Sequence, residues 1–364
     1  MATAKNKLSD YLRKNPFSIL LIALPLAVIA NATHWGEVWV FGLAAVGVIP
    51  MAGYIGSATE SLAKYTGPKM GGLLNATLGN AAELIITLTA IRANLLDLVK
   101  ASITGSILGN LLLVVGFSMV FGGAKYGIQK FDKKQSTSNA VLMTIAIIAL
   151  VIPSLFSHSI GVVGSKKVEV LSLGVAGIAI AFYALGLFFT MKVQNSPITY
   201  SEPDDQEKSE YSLVTAIMIL VIATGGVVWL SQLLVGAVEV VVRDLGISEF
   251  FLGIILIPVV GNVSEHLVAV QFALKNKMEL SMGIAVSSSL QIALFVAPLL
   301  VFISLVIGNP LTLIFNSFEL IALGAAVVIS ILVASDGESN WLEGAALLSV
   351  YLILGIAFFL VPSL

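Results

Sequence analysis

Apolar runs long enough to cross a bilayer alternate with short polar breaks along almost the whole chain. A helix needs about 20 consecutive apolar residues to span the hydrocarbon core. The first half meets that need near 16–33, 36–63, 70–91, 101–122, 138–156 and 168–191. A polar stretch, QNSPITYSEPDDQEKSEY at 194–211, then breaks the rhythm. Beyond it lie 212–242, 248–274, 279–307, 313–334 and 340–362. The pattern predicts an all-α integral membrane protein with eleven transmembrane helices. The opening segment, MATAKNKLSDYLRKNPFSILLIALPLAVIA, is basic and then apolar, yet no convincing small-residue cleavage site follows it. It reads as a retained first helix rather than a signal peptide.

Composition narrows the class further. Of 364 residues, 58% are hydrophobic and 11% charged, and the mean hydropathy is +1.00. A soluble domain carries roughly a quarter charged residues, so a polytopic membrane protein is the class that fits, with the lipid bilayer as its partner. The net charge of −2 gives no reason to expect nucleic acid. The absence of cysteine excludes disulfides, iron–sulfur clusters and thiolate metal sites. The three histidines, His34, His158 and His266, are too scattered for a zinc motif. With the N-terminus in the cytoplasm, the inside segments hold 14 of the 19 Lys and Arg residues and the outside segments hold 5. That bias supports the span count and places the C-terminus outside.

The two halves also share a motif. Gly79-Asn80-Ala-Ala-Glu83 recurs as Gly261-Asn262-Val-Ser-Glu265, 182 residues later. The same offset lays Gly105-Ser106-Ile107-Leu108 over Ser287-Ser288-Ser289-Leu290. Setting the first span aside, each half has five helices. Five is odd, so the second copy enters the membrane inverted, as in many secondary transporters with a midplane site. The expected organisation is a cytoplasmic N-terminus and extra first helix (1–35), a first five-helix repeat (36–192), an acidic cytoplasmic linker (193–211) and a second repeat (212–364).

Glu83 and Glu265 fall deep in apolar segments, where a carboxylate costs several kcal/mol unless it is paired, solvated or protonated. Asn80 lies three residues before Glu83, and Asn262 three before Glu265, so each pair shares a helix face. The adjoining Gly79 and Gly261 permit unwinding or close packing. The helices that follow offer Ser102, Thr104, Ser106 and Asn110, and then Ser287, Ser288, Ser289 and Gln291. Carboxylate, amide, hydroxyl and carbonyl oxygens suit Ca²⁺, although serines and threonines also serve simply to pack helices. His266 follows Glu265 where the first copy has Leu84; it reads either as a proton-linked neighbour of the site or as a structural histidine. Glu60, Glu319, Asp336, Glu338 and Glu343 lie near helix ends and read as capping or vestibule carboxylates. Glu202, Asp204, Asp205, Glu207 and Glu210 make the linker acidic, as a solvated connection is.

With these residues in view, the chain resembles the Ca²⁺/H⁺ antiporter family of the cation/Ca²⁺ exchanger superfamily. The resemblance rests on GGLLNATLGNAAELIITLTAI (71–91), ASITGSILGNLLLVVG (101–116), VVGNVSEHLVAV (259–270), ALKNKM (273–278), SSSLQIALFVAP (287–298) and DGESNWLEGAALL (336–348). Val263-Ser264 stands where the family usually has two alanines, and Ser287 where it usually has glycine. The resemblance implies an extra first helix plus two inverted repeats. It also implies that Glu83 and Glu265 are the exchanging carboxylates, with Asn80 and Asn262 beside them, and that Ser106, Asn110, Ser288 and Gln291 line the same cavity.

The resulting expectation is a secondary antiporter, without a cofactor, that moves Ca²⁺ against H⁺ by alternating access. An exchanger coupled to Na⁺ or carrying another cation is the alternative, and a cation channel a more distant one. An intramembrane enzyme is disfavoured, since neither a His-Glu-x-x-His nor a serine-nucleophile motif occurs. Compact loops suggest the plasma membrane, and an oligomer is compatible with the sequence.

Overall fold

The structure is a computed structural model and describes residues 16–161, 165–192 and 209–361. Glu202, Asp204, Asp205 and Glu207 lie outside the described residues, and Glu210 is exposed. Backbone N–H and C=O groups find no water in lipid and must pair within their own segment, and the described chain is accordingly almost all helix. A 3₁₀ turn (Pro16–Ile22) leads into α1 (Ala23–Ala32), followed by α2 (Glu37–Leu78), α3 (Ala81–Arg92), α4 (Leu96–Tyr126), α5 (Lys133–Ile160) and α6 (Lys166–Lys192). The second half holds α7 (Leu213–Gly236), the short α8 (Val238–Leu245), α9 (Glu249–Leu274), α10 (Met278–Ile307), α11 (Ser317–Val333) and α12 (Trp341–Leu360). Among the described residues, eight helices are long and apolar enough to cross a membrane, and Ser18–Ala32 and Ser317–Val333 are shorter apolar helices. The outer faces of α6, α7 and α12 are apolar, with Ile178, Ile222 and Leu360 about 70% exposed. Such faces suit contact with lipid tails.

The helices are less uniform than the apolar runs suggest. The stretch expected at 70–91 is not one rod. Gly67 takes φ +80° and kinks α2. At the Gly79-Asn80 step Asn80 leaves helical geometry (φ −97°, ψ 24°), and α3 restarts as a helix of 12 residues. The stretch expected at 212–242 turns at Ala237 between α7 and α8. Among the described residues, three π-helical turns interrupt long helices: Gly109–Val114 in α4, Leu252–Leu256 in α9 and Ile292–Val296 in α10. The last two run into Ile257-Pro258 and Ala297-Pro298. Proline has no N–H for the carbonyl four residues back, so local hydrogen bonding must adjust there.

Packing is close where α4 crosses α9. A Cβ added at Gly105 would collide with the carbonyl of Ile254, and one at Gly253 would lie 2.6 Å from Ala101 Cβ and 2.9 Å from the Leu98 carbonyl. Only glycine lets the two backbones approach so closely. α2 packs lengthwise on α7, and α1 packs on α2. At one end of the bundle three connections are laced together. Gln129 and Lys130 form an antiparallel bridge with Ser339 and Glu338, and Lys130 pairs with Glu338 at 3.1 Å. The buried Gln129 side chain donates to the Ala273 carbonyl at 3.0 Å and to Asn276 Oδ1 at 2.9 Å.

Candidate functional site

A seam of buried polar side chains runs through this apolar bundle where α3, α4, α9 and α10 meet. Glu83 lies in the first turn of α3, immediately after the break at Asn80, and is 2% exposed. One of its oxygens accepts a hydrogen bond from Ser106 of α4. Asn262 of α9 donates to that same serine at 3.2 Å. Across the seam, Ser288 of α10 donates to Asn80 Oδ1 at 3.2 Å and accepts from Asn110 at 3.0 Å. Asn80 in turn donates to Gln291 Oε1 at 2.7 Å. Seven of the residues singled out from sequence therefore join two short chains: Asn262–Ser106–Glu83 and Asn110–Ser288–Asn80–Gln291.

These chains cross between the halves. Asn262 of the second motif reaches Ser106 in the helix after Glu83, and Asn80 of the first motif meets Ser288 in the helix after Glu265. The glycines cross in the same way. A Cβ at Gly79 would lie 3.6 Å from a carboxylate oxygen of Glu265, and one at Gly261 would lie 4.0 Å from Glu83 Cα and Cβ. Each motif thus leaves room for the other motif's glutamate, which brings the two carboxylates into one site. Glu265 is half-buried whereas Glu83 is fully buried.

Both glutamates keep a second oxygen, Oε2, that is buried and accepts no hydrogen bond. A buried carboxylate oxygen without a partner is costly in a low-dielectric interior, and a cation or a proton removes that cost. With the carbonyl oxygens of the amides and the serine hydroxyls nearby, the donor set is all oxygen and fits a hard divalent cation. Among the described residues no cluster of three or more His, Asp or Glu side chains forms, so two carboxylates set the negative charge of the site.

The remaining expectations divide. The Gly79 step is broken, as unwinding would require, with Asn75 O accepting from Gly79 N before it and Asn80 O from Leu84 N after it. At Gly261 the helix runs on without a break. Of the hydroxyls, only Ser106 and Ser288 enter the network. Ser287 and Ser289 bond their own helix at Ile284 and Ala285, and Ser102 Oγ is buried without a partner. His266 is half-buried, and its Nε2 takes no partner in the network. Glu60 pairs with Lys64 at 3.2 Å, and Glu343 closes a capping box with Asn340. Asp336 accepts from the backbone of Glu338.

Glu319 is more than a cap. It closes a box with Asn316, yet it is 2% exposed and also accepts from Thr104 of α4 at 3.2 Å. Its place in a first helical turn hid this in sequence. Only the contact between α11 and α4 reveals it.

The sequence pattern of the sodium/calcium exchanger protein family matches residues 36–192 and 215–360. The chain is 43% identical to a Ca²⁺/H⁺ antiporter of Aphanothece halophytica, over 96% of this chain and 98% of that one. It is 42% identical to the Ca²⁺/H⁺ antiporter ChaA of Bacillus subtilis, over 94% of this chain and 98% of the relative. A solved structure of the Ca²⁺/H⁺ antiporter protein YfkE superimposes with a TM-score of 0.83 at 40% identity, covering 95% of this chain and all of that one. With both halves of the chain matched and its near-full-length relatives so similar, the protein belongs to the sodium/calcium exchanger protein family.

Proposed function

We infer that this multi-pass membrane protein is a Ca²⁺/H⁺ antiporter whose single site is shared by Glu83 and Glu265. The observation that carries this reading is the pair of buried, unpartnered Oε2 atoms, one on each glutamate, at the meeting point of α3, α4, α9 and α10. Two such oxygens demand positive charge from a ligand, and either one Ca²⁺ or protons supply it. Asn80, Asn262, Ser106 and Ser288 hold the carboxylates in register and offer further oxygens to the ion. Asn110 and Gln291 fix Ser288 and Asn80.

Exchange then follows from electrostatics. Open to one side with both glutamates ionised, the site takes Ca²⁺. Open to the other, protons neutralise the carboxylates and the ion leaves. An empty, doubly charged site is the state most heavily penalised in the membrane interior, so the site crosses only when occupied, and that penalty couples the two fluxes. Two like charges this close titrate as a pair.

The architecture proposed for this cycle has eleven spans: an extra first helix within 1–35, repeats at 36–192 and 212–364, and the acidic linker 193–211 between them. The π turns Gly109–Val114 and Ile292–Val296 support the repeat, because the 182-residue offset carries the first onto the second. The Lys and Arg bias supports a cytoplasmic N-terminus and an outside C-terminus in the plasma membrane.

The test is Ca²⁺ uptake by proteoliposomes under an imposed pH gradient, with Na⁺ and K⁺ absent from both sides. Wild type is expected to exchange. Glu83→Gln and Glu265→Gln are each expected to lower the rate at least a hundredfold while eluting as folded protein. A normal rate in either variant would overturn the shared site, and a requirement for Na⁺ would overturn proton coupling.

A further inference from the structure

Away from the glutamates, the most enclosed partner in any ion pair of the described residues is Lys100. Its side chain is 16% exposed, and it is held 2.9 Å from Asp97, whose own side chain is 85% exposed. Asp97 therefore lies in water and Lys100 points inward from it. Lys100 lines a cavity of about 410 Å³ framed by the start of α4, by Glu249 at the start of α9 and by Pro310 and Thr312 before α11.

One turn further along α4, Thr104 bonds the buried Glu319. Six residues beyond Lys100, or about 9 Å along the helix axis, Ser106 bonds Glu83. Between cavity and site lies the crossing where Gly105 meets the Ile254 carbonyl and Gly253 meets Ala101. A positive charge thus stands in a cavity about two turns along α4 from the serine that holds Glu83. The charged groups facing it are Asp97 from α4, Glu249 from α9 and Glu319 from α11. Arg92, at the end of α3, is exposed.

We propose that Lys100 is a positioning residue that sets the Ca²⁺ affinity of the site on the side of this cavity. Its ammonium offsets part of the negative charge of Asp97, Glu249 and Glu319, and so weakens the hold on a divalent cation at this face. Asp97 restrains the lysine, but its own charge is weakened by water. The proposal rests on the exchange reading above. At a separation on the order of 10–15 Å and an effective dielectric of about 50–60, closer to water than to protein, one charge changes the affinity for a divalent ion by about three- to tenfold.

The experiment is sided Ca²⁺ transport in vesicles of fixed orientation. Lys100→Gln is expected to lower KM from the cavity side about three- to tenfold, and Asp97→Asn to raise it, with little change in KM from the other side. Lys100→Arg should keep wild-type values, and the difference between Lys100→Gln and wild type should shrink in high salt. Lys100→Ala provides a second neutral variant if the glutamine variant fails to fold. Shifts of the same sign in Lys100→Gln and Asp97→Asn, a change in maximal rate alone, or equal effects on both faces would mark an ordinary structural pair and overturn the proposal. Orientation is read separately, by labelling Ala93→Cys in this cysteine-free chain with an impermeant maleimide. Labelling from the opposite side would refute the outside assignment, and the KM shifts would then be sought on the face so identified. A complete absence of exchange in wild type would refute the functional reading instead.

Discussion

Gly79 and Gly261 occupy matching places in their motifs but have unequal room. A methyl group at Gly79 would sit 2.7 Å from the Asn75 carbonyl and 3.6 Å from the Glu265 carboxylate. At Gly261 the nearest atoms outside its own helix lie at 4.0 Å, ordinary van der Waals contact. Gly79→Ala is therefore expected to lower the initial rate of Ca²⁺ transport at least tenfold, and Gly261→Ala no more than about twofold, a scale set by overpacking costs of about 1–3 kcal/mol. Initial rates normalised to reconstituted protein check this, and equal losses in the two variants would argue against the crossed packing. The glutamates and their asparagines were legible in the sequence because intramembrane carboxylates are rare and these recur in one motif. The crossing was not legible, since a sequence does not say which helix faces meet. The family resemblance singled out Ser106 and Ser288, but residue type alone did not separate them from Ser102, Thr104, Ser287 and Ser289. All six are small hydroxyl residues in apolar helices, and only tertiary contacts decide which of them reach the site.

Apolar length found the helices but not their interruptions. Hydropathy averages over about 20 residues, so a single non-helical residue at Asn80, or a π turn of five or six residues, leaves no trace in it. Pro258 and Pro298 did carry a signal, because each follows its π turn by two residues. The π turn at Gly109–Val114 contains no proline and had none. These irregularities shape how helices meet. Pro258 has no N–H to offer the Ile254 carbonyl, and that carbonyl is the group against which Gly105 packs. Gly105→Ala is thus expected to force α4 and α9 apart, with less folded protein recovered and a lower melting temperature. Gly109→Ala, where nothing lies within 4 Å of an added Cβ, should be tolerated. Size-exclusion profiles and thermal unfolding in detergent distinguish the two. If both variants behave like wild type, the crossing does not depend on backbone contact.

At the scale of the whole molecule the site belongs to no single part of the chain. α3 and α4 bring one glutamate and its serine, α9 and α10 bring the other, and the hydrogen bonds tie the two sets together. α2 lies beside this group. It packs along α7 and also touches α9. Alternating access requires some helices to shift relative to those that carry the glutamates, and α2 is well placed to do so because its kink at Gly67 and the break after Leu78 separate it from α3. The contact between Gly53 and Ser264 offers a way to test this. A Cβ at Gly53 would lie 3.9 Å from Ser264 Cβ, within the range of about 3.5–4.5 Å that a disulfide spans. The chain has no cysteine of its own, so Gly53→Cys with Ser264→Cys creates a single pair that links α2 to α9 next to Glu265. Oxidation is expected to cut Ca²⁺/H⁺ exchange by at least tenfold, and reduction to restore it, while each single variant stays active in both conditions. If the pair crosslinks fully, as judged by loss of free thiol, and exchange continues at the reduced rate of turnover, then α2 and α9 move together. The moving boundary must in that case lie elsewhere, and the α4–α9 crossing, which lies along α4 between Lys100 and Ser106, becomes the place to look for it.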